Sequence, residues 1–327
     1  QMCIRDRPKG IQKLKKILLV IFINLALIFA IILTAEHFAY TKTLEKKYEH
    51  SKVFIVDKNK PKQFWRNEML DFENEYNESL KYDLRKPVGL EYKKPPIVLF
   101  GCSFTYGYRL NDEQTFGAYL SKLSKRPVYN RAFNAWGFPH MVYQLSRDDF
   151  YREVKEPEYV IYVFSKNQMQ MMYDYTFQLW DEAMCLRYKL SNGKLVKVKN
   201  PPKFIRGFYL LKFINQKMAR KVIDCNFSQK DEELAIAHFK TAKESALKHW
   251  KNAKFVVLLY DQTPETEWFD EKFASDLKKN GFIVLKMDDI AGFKVYDAKF
   301  QMTENDPHPS ERLWQLFTPK LVKTLGL

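Results

Sequence analysis

The sequence predicts an α/β domain built on a mostly parallel sheet covered on both faces, preceded by one N-terminal transmembrane helix. Two observations predict it. Short, wholly apolar runs alternate with stretches of helical periodicity, the pattern of strands buried on both sides. Residues 17–35 form a separate uncharged run of 19 residues with one amide, Asn24.

The strands come in order. Ile97-Val98-Leu99-Phe100 follows the punctuation of Pro95-Pro96 and has no polar face. Tyr159 to Phe164, Phe255 to Tyr260 and Phe282 to Leu285 repeat the pattern. Between them lie helical stretches: residues 115–123, with Phe116, Tyr119, Leu120 and Leu123 at helical spacing, then 141–151, 231–250 and 268–279. Residues 310–325 form a last helix, and Asn111 or Asp112 is the expected cap of the first. Residues 168–230 break the alternation and read as an insertion over the sheet, a candidate lid. Within it, Asn192-Gly193 sits between alternating runs and predicts a hairpin. Ligands of such folds bind beyond the carboxyl ends of the strands.

The apolar run of residues 17–35 would span roughly 28 Å, enough to cross a bilayer. Residues 1–16 carry six positive side chains and one negative. That asymmetry predicts a cytoplasmic N-terminus, a single-pass anchor in the cell membrane and an extracytoplasmic remainder. A cleaved signal peptide is the rival reading, but its apolar core is shorter and the sites around Ala35 and Ala39 suit cleavage poorly. The chain opens on Gln; Lys9, Lys13, Lys15 and Lys16 preserve the charge asymmetry without residues 1–7. The expected organisation is a basic tail (1–16), an anchor (17–35), a stalk and packing segment (36–95) and the α/β domain (96–327).

Composition excludes other classes. The chain has 327 residues, 46% of them hydrophobic, so a core is available and disorder is not expected. Its net charge of +15 would suggest nucleic acid, yet residues 1–16 carry +5 of it as a topology signal, and the rest is expected to face anionic envelope surfaces. Four Cys without zinc-ligand spacing argue against a disulfide mini-protein or a structural zinc site. Outside the cytoplasm Cys185 and Cys225 could pair.

The chemistry starts where the first strand ends, in Gly101-Cys102-Ser103-Phe104-Thr105-Tyr106-Gly107. A strand, a tight glycine turn and a Ser ahead of a helix present a hydroxyl near backbone amides, though such a Ser can equally be a plain cap. A nucleophilic Ser needs a base. Of the six His, His37 and His50 fall in the stalk, His238 and His249 on the solvated face of a charged helix, and His140 at a helix start where it can cap, pack or line the site. His308 lies in Asn305-Asp306-Pro307-His308-Pro309-Ser310, where a carboxylate beside the ring can orient it. Cys102 is the lesser nucleophile candidate, since it should point into the sheet.

These blocks together resemble the SGNH/GDSL hydrolase family over residues 97–325. The resemblance implies a three-layer α/β/α sandwich with a flavodoxin-like sheet and the hydrolysis or transfer of acyl esters without metal or cofactor. It implies Ser103 as nucleophile, His308 as base, and an oxyanion hole from the Ser103 N–H, the amide of Ala135 or Gly137 in the turn Asn130 to Gly137, and the Asn167 side chain. The family's acid commonly stands three residues before the His, which is Asn305 here; Asp306, two before it, takes the role. Cys102 replaces the family's Asp, and Lys166 a small residue. The implied activity is a serine esterase acting on envelope glycans or lipids. The alternatives are a polysaccharide O-acyltransferase and a non-catalytic binding protein of the same fold. Nucleic acid is not an expected partner.

Overall fold

The computed structural model describes residues 17–38, 84–134, 136–165, 167–170, 172, 186–198, 228–260, 271–303 and 306–327. One helix (α1, Ile17–Phe38) precedes the domain in the chain. It has 22 residues and is long and apolar enough to cross a membrane. It runs three residues past the apolar stretch, through Glu36 and His37.

The domain is built on a five-stranded sheet. Its strands are β1 (Ile97–Phe100), β2 (Val128–Asn130), β3 (Tyr159–Ser165), β6 (Lys254–Tyr260) and β7 (Ile283–Lys286). They lie in the order β2-β1-β3-β6-β7, and every neighbouring pair is parallel. Leaving out the hairpin β4 (Tyr188–Ser191) and β5 (Lys194–Lys197), this is the doubly wound flavodoxin-like order.

Strand alternation divides the core into two layers. Ile97, Leu99, Ile161, Val163, Val256 and Leu258 face one side. There they meet α3 (Phe116–Ser124), α9 (Met287–Ala291) and α10 (Glu311–Leu325) through Phe116, Leu120, Met287, Trp314 and Phe317. Val98, Phe100, Val160, Tyr162, Phe164 and Val257 face the other. They pack on α4 (Phe138–Leu145), α5 (Asp148–Glu153), α7 (Gln229–Leu247) and α8 (Glu271–Lys279). Both faces are covered, as the unbroken apolar strands require.

Several local expectations are corrected. The sheet has a fifth strand, β2, whose three residues are too few to show a pattern. The helix expected over 141–151 is two helices. Ser146 ends the first, its Oγ donating to the Tyr143 carbonyl at 2.7 Å, and Arg147 takes extended backbone before the second. The cap of α3 is neither Asn111 nor Asp112 but Thr115, whose Oγ1 accepts the Ala118 N–H at 3.2 Å. Asn111 instead caps the short 3-10 turn Asp112–Gln114.

His238 does not lie on a solvated face. Its helix is covered there by α4 and the hairpin, so the ring is fully buried between Phe138 and Tyr188, with Nδ1 2.7 Å from the Leu234 carbonyl. Burial pushes its pKa down to about 4, against the pull of that carbonyl. His249 is partly exposed and stacks on Tyr151. The hairpin forms at the expected place, with Asn192 and Gly193 both at positive φ. Cys185 and Cys225 lie outside the described residues, as does most of the expected stalk. The end of that stalk packs on the domain, with Leu84 buried and Val88 bridged to Val128.

Candidate active site

The site forms where β1 ends. Gly101 takes a φ of +153, and a Cβ there would fall 2.1 Å from Thr105 Oγ1 and 3.1 Å from the Val163 carbonyl oxygen. Only glycine fits this turn. The turn releases the chain into α2 (Ser103–Tyr106), so Ser103 is the first helical residue, and a first-residue N–H has no partner within its own helix. Asn130, at the end of β2, pins the turn from below by donating from Nδ2 to the Thr105 carbonyl at 2.9 Å.

His308 arrives from the far end of the chain on a two-stranded ribbon, β8 (Gln301–Thr303) with β9 (Asp306–Pro309). Asp306 and His308 stand two apart on an extended strand, so their side chains share one face. That periodicity explains how an acid two residues before the His reaches the ring. Asp306 Oδ1 lies 2.5 Å from His308 Nδ1 and accepts the His308 backbone N–H at 3.2 Å. His308 Nε2 lies 2.8 Å from Ser103 Oγ. A carboxylate only accepts, so Nδ1 carries the ring proton and Nε2 offers its lone pair to the Ser103 hydroxyl.

Rings fix the imidazole. Phe104 meets it edge-on at 5.1 Å between centroids, and Tyr108 lies tilted at 4.7 Å. Asp306 is buried, which by itself would push its carboxyl up. The hydrogen bonds and charge of His308, with a smaller contribution from Arg109, outweigh burial and hold it below the usual carboxylate range.

The other sequence candidates fall differently. Cys102 is buried in the core beneath the turn, and burial pushes its thiol up, so it is poorly placed to attack a substrate. Gly137 caps α4, and its N–H donates to His140 Nδ1 at 3.1 Å. His140 thus caps and packs, stacked on Trp136. Asn167 begins α6 (Asn167–Gln170), directly after the β3 carboxyl end. Ala135, Lys166 and Asn305 lie outside the described residues. Among the described residues, no cluster of His, Cys, Asp and Glu is arranged to hold a metal.

Sequence reasoning missed the groups around the triad-like line: Phe104, Tyr108, Arg109 and Arg85. Arg109 Nη1 lies 3.0 Å from Asp306 Oδ2. Arg85 donates to the carbonyls of Tyr106, Gly107 and Leu110. No motif or spacing marks these residues, since each acts through a turn whose shape only folding reveals.

A parallel sheet in this order, covered on both faces and with Ser103, His308 and Asp306 gathered beyond its carboxyl edge, is an α/β/α sandwich with a Ser-His-Asp line. No protein-family model matches the chain, and no curated protein does. Similar solved structures include a lipolytic protein of the G-D-S-L family from Desulfitobacterium hafniense DCB-2, at 15% identity and a TM-score of 0.43, covering 70% of this chain and 99% of that one. An acetyl xylan esterase from the rumen bacterium Butyrivibrio proteoclasticus is similar at 12% identity and a TM-score of 0.43, covering 72% of this chain and 64% of that one. A family two carbohydrate esterase from Clostridium thermocellum, in complex with cellohexaose, is similar at 11% identity and a TM-score of 0.43, covering 72% and 66%.

Proposed function

We propose that the chain is a membrane-anchored serine esterase that acts outside the cytoplasm on ester-linked acyl groups of envelope glycans or lipids. The observation that carries the reading is the unbroken line from Ser103 Oγ through His308 to Asp306, at 2.8 Å and 2.5 Å. In this reading His308 Nε2 takes the Ser103 proton as Oγ attacks the ester carbonyl. Asp306 keeps the ring in the tautomer that leaves Nε2 able to accept, and stabilises the imidazolium that forms. His308 then gives the proton to the leaving alcohol, and water, activated the same way, releases the acid. No metal or nucleotide takes part.

The oxyanion would be held by the Ser103 N–H, the Asn167 amide group and the Ala135 N–H. Gly137 is the weaker candidate of the turn, because its N–H is engaged by His140. The location of the substrate follows from α1 and the basic residues before it, which favour an anchor with the domain outside.

The test uses the full chain in detergent. A fluorophosphonate probe should label Ser103, found by peptide mass spectrometry, and 4-nitrophenyl acetate should be hydrolysed. Neither should occur with Ser103→Ala. Folded wild-type protein that takes no label would overturn the esterase reading. Acetyl appearing on an added acceptor sugar rather than in water would move the assignment to a transferase.

A further inference from the structure

Asp306 has two carboxylate oxygens, and the proposed relay uses only one. Oδ1 faces the His308 ring and backbone N–H. Oδ2 is buried and receives no hydrogen bond among the described residues, yet the Arg109 guanidinium stands 3.0 Å from it. Arg109 comes from the turn after α2, the same short segment that carries Ser103. Its backbone adopts the left-handed region at φ +63, which is costly for any residue with a Cβ. The turn is nevertheless held in this shape. The N–H groups of Gly107 and Tyr108 both donate to the Ser103 carbonyl, and Arg85 gathers the carbonyls of Gly107 and Leu110 at 2.8 and 2.7 Å. The Arg109 guanidinium also covers the Tyr108 ring at 5.4 Å, and that ring packs on His308. Serine, histidine, acid and arginine are therefore tied into one closed set of contacts.

We infer that Arg109 is a positioning residue for the acid, holding Asp306 Oδ2 in place and the carboxyl ionised so that Oδ1 faces the His308 ring. The inference rests on the esterase reading for its catalytic meaning. The charged groups acting on Asp306 are His308 on its own strand and Arg109 on the facing turn. β8 places neutral Thr303 opposite it, and Glu311, at the start of α10, is taken up by Tyr119 and Gln114. Among the described residues of these elements, no other charged group stands beside Oδ2, so without Arg109 His308 alone opposes the effect of burial. The carboxyl then titrates higher, and its protonated form lacks the charge that steadies the imidazolium.

The experiment compares the wild-type full chain with Arg109→Gln, Arg109→Lys and Arg109→Gly in detergent. Glycine accepts the left-handed backbone, so Arg109→Gly removes the guanidinium without straining the turn. Two readouts are taken: the titration of the Asp306 carboxyl by ¹³C NMR, and the pH dependence of fluorophosphonate labelling at Ser103. The expected result is a carboxyl titration and an acid limb of labelling both moved to higher pH in Arg109→Gln and Arg109→Gly, and restored by Arg109→Lys. Loss of labelling at every pH with an unmoved carboxyl titration would mean a structural role and overturn the inference. A wild type that takes no label sinks the esterase reading instead, and the carboxyl titration still decides whether Arg109 governs Asp306.

Discussion

Ser103 Oγ and His308 Nε2 stand 2.8 Å apart although 205 positions separate them in the chain. The parallel sheet makes this possible. It sends Ser103 out at the end of β1, while the ribbon before α10 returns His308 to the same edge. Glu311 fastens that return, accepting from Tyr119 at 2.6 Å and Gln114 at 3.0 Å on the segment that follows the Ser103 turn.

Removing either member of this pair should stop turnover without unfolding the protein. Ser103→Ala and His308→Ala are each expected to lower kcat on 4-nitrophenyl acetate by about 10⁴–10⁶-fold, and the double variant by little more, because the two act as a unit. Steady-state kinetics together with thermal melting of each variant check this.

Asp306→Asn keeps the shape of the acid but lets the amide donate to the ring, favouring the tautomer that leaves no lone pair at Nε2. A loss of about 10⁴-fold in kcat is expected. The folded carboxyl titrates below its ordinary value. Its contribution to stability is therefore fully present above pH about 3.9 and is lost as pH falls through the lower folded value. Urea unfolding at pH 6 and pH 3 should show a smaller loss of stability in Asp306→Asn than in wild type, because His238 and the other carboxylates still titrate in both.

His238 is buried in its neutral form, with a pKa near 4. The unfolded chain takes up the proton at about pH 6.5, so stability is lost as pH falls from there toward 4, by roughly 3 kcal/mol at most. His238→Leu should flatten this part of the stability profile while leaving ester hydrolysis unchanged. Chemical denaturation at pH 7 and pH 4.5, wild type against variant, measures the difference.

Gly101→Ala should destabilise by about 2–3 kcal/mol, because the left-handed turn and the contact with Thr105 both resist a Cβ. The same shift moves Ser103 off His308 and lowers kcat more than it raises KM. A variant with unchanged melting temperature would show that the turn relaxes freely.

Much of the sheet is legible in the sequence because β1, β3 and β6, unlike the partly exposed edge strand β7, are buried on both faces. Their residues have no choice but to be apolar, and runs such as Val160 to Phe164 need no partner to be recognised. The turn Asn192-Gly193 is equally local, since positive φ at both positions selects those residue types. Ser103 and His308 stand out for a related reason: glycine before one, and a carboxylate and prolines around the other, mark backbone that must turn.

What folding alone decides is what depends on neighbours distant in sequence. β2 is a strand because β1 lies beside it, registered Leu99 to Asn130, not because three residues prefer to be extended. His238 is buried because α4 and the hairpin cover its helix, although the helix carries many charges. Gly137 is occupied because His140 turns back onto it. Arg109 meets Asp306 because one turn and one ribbon converge at the sheet edge. The sequence determines where backbone must be buried or bent, since those constraints act residue by residue. The charge partners of the acid arise only from tertiary contact, because a pairwise interaction has no signature until both partners are placed.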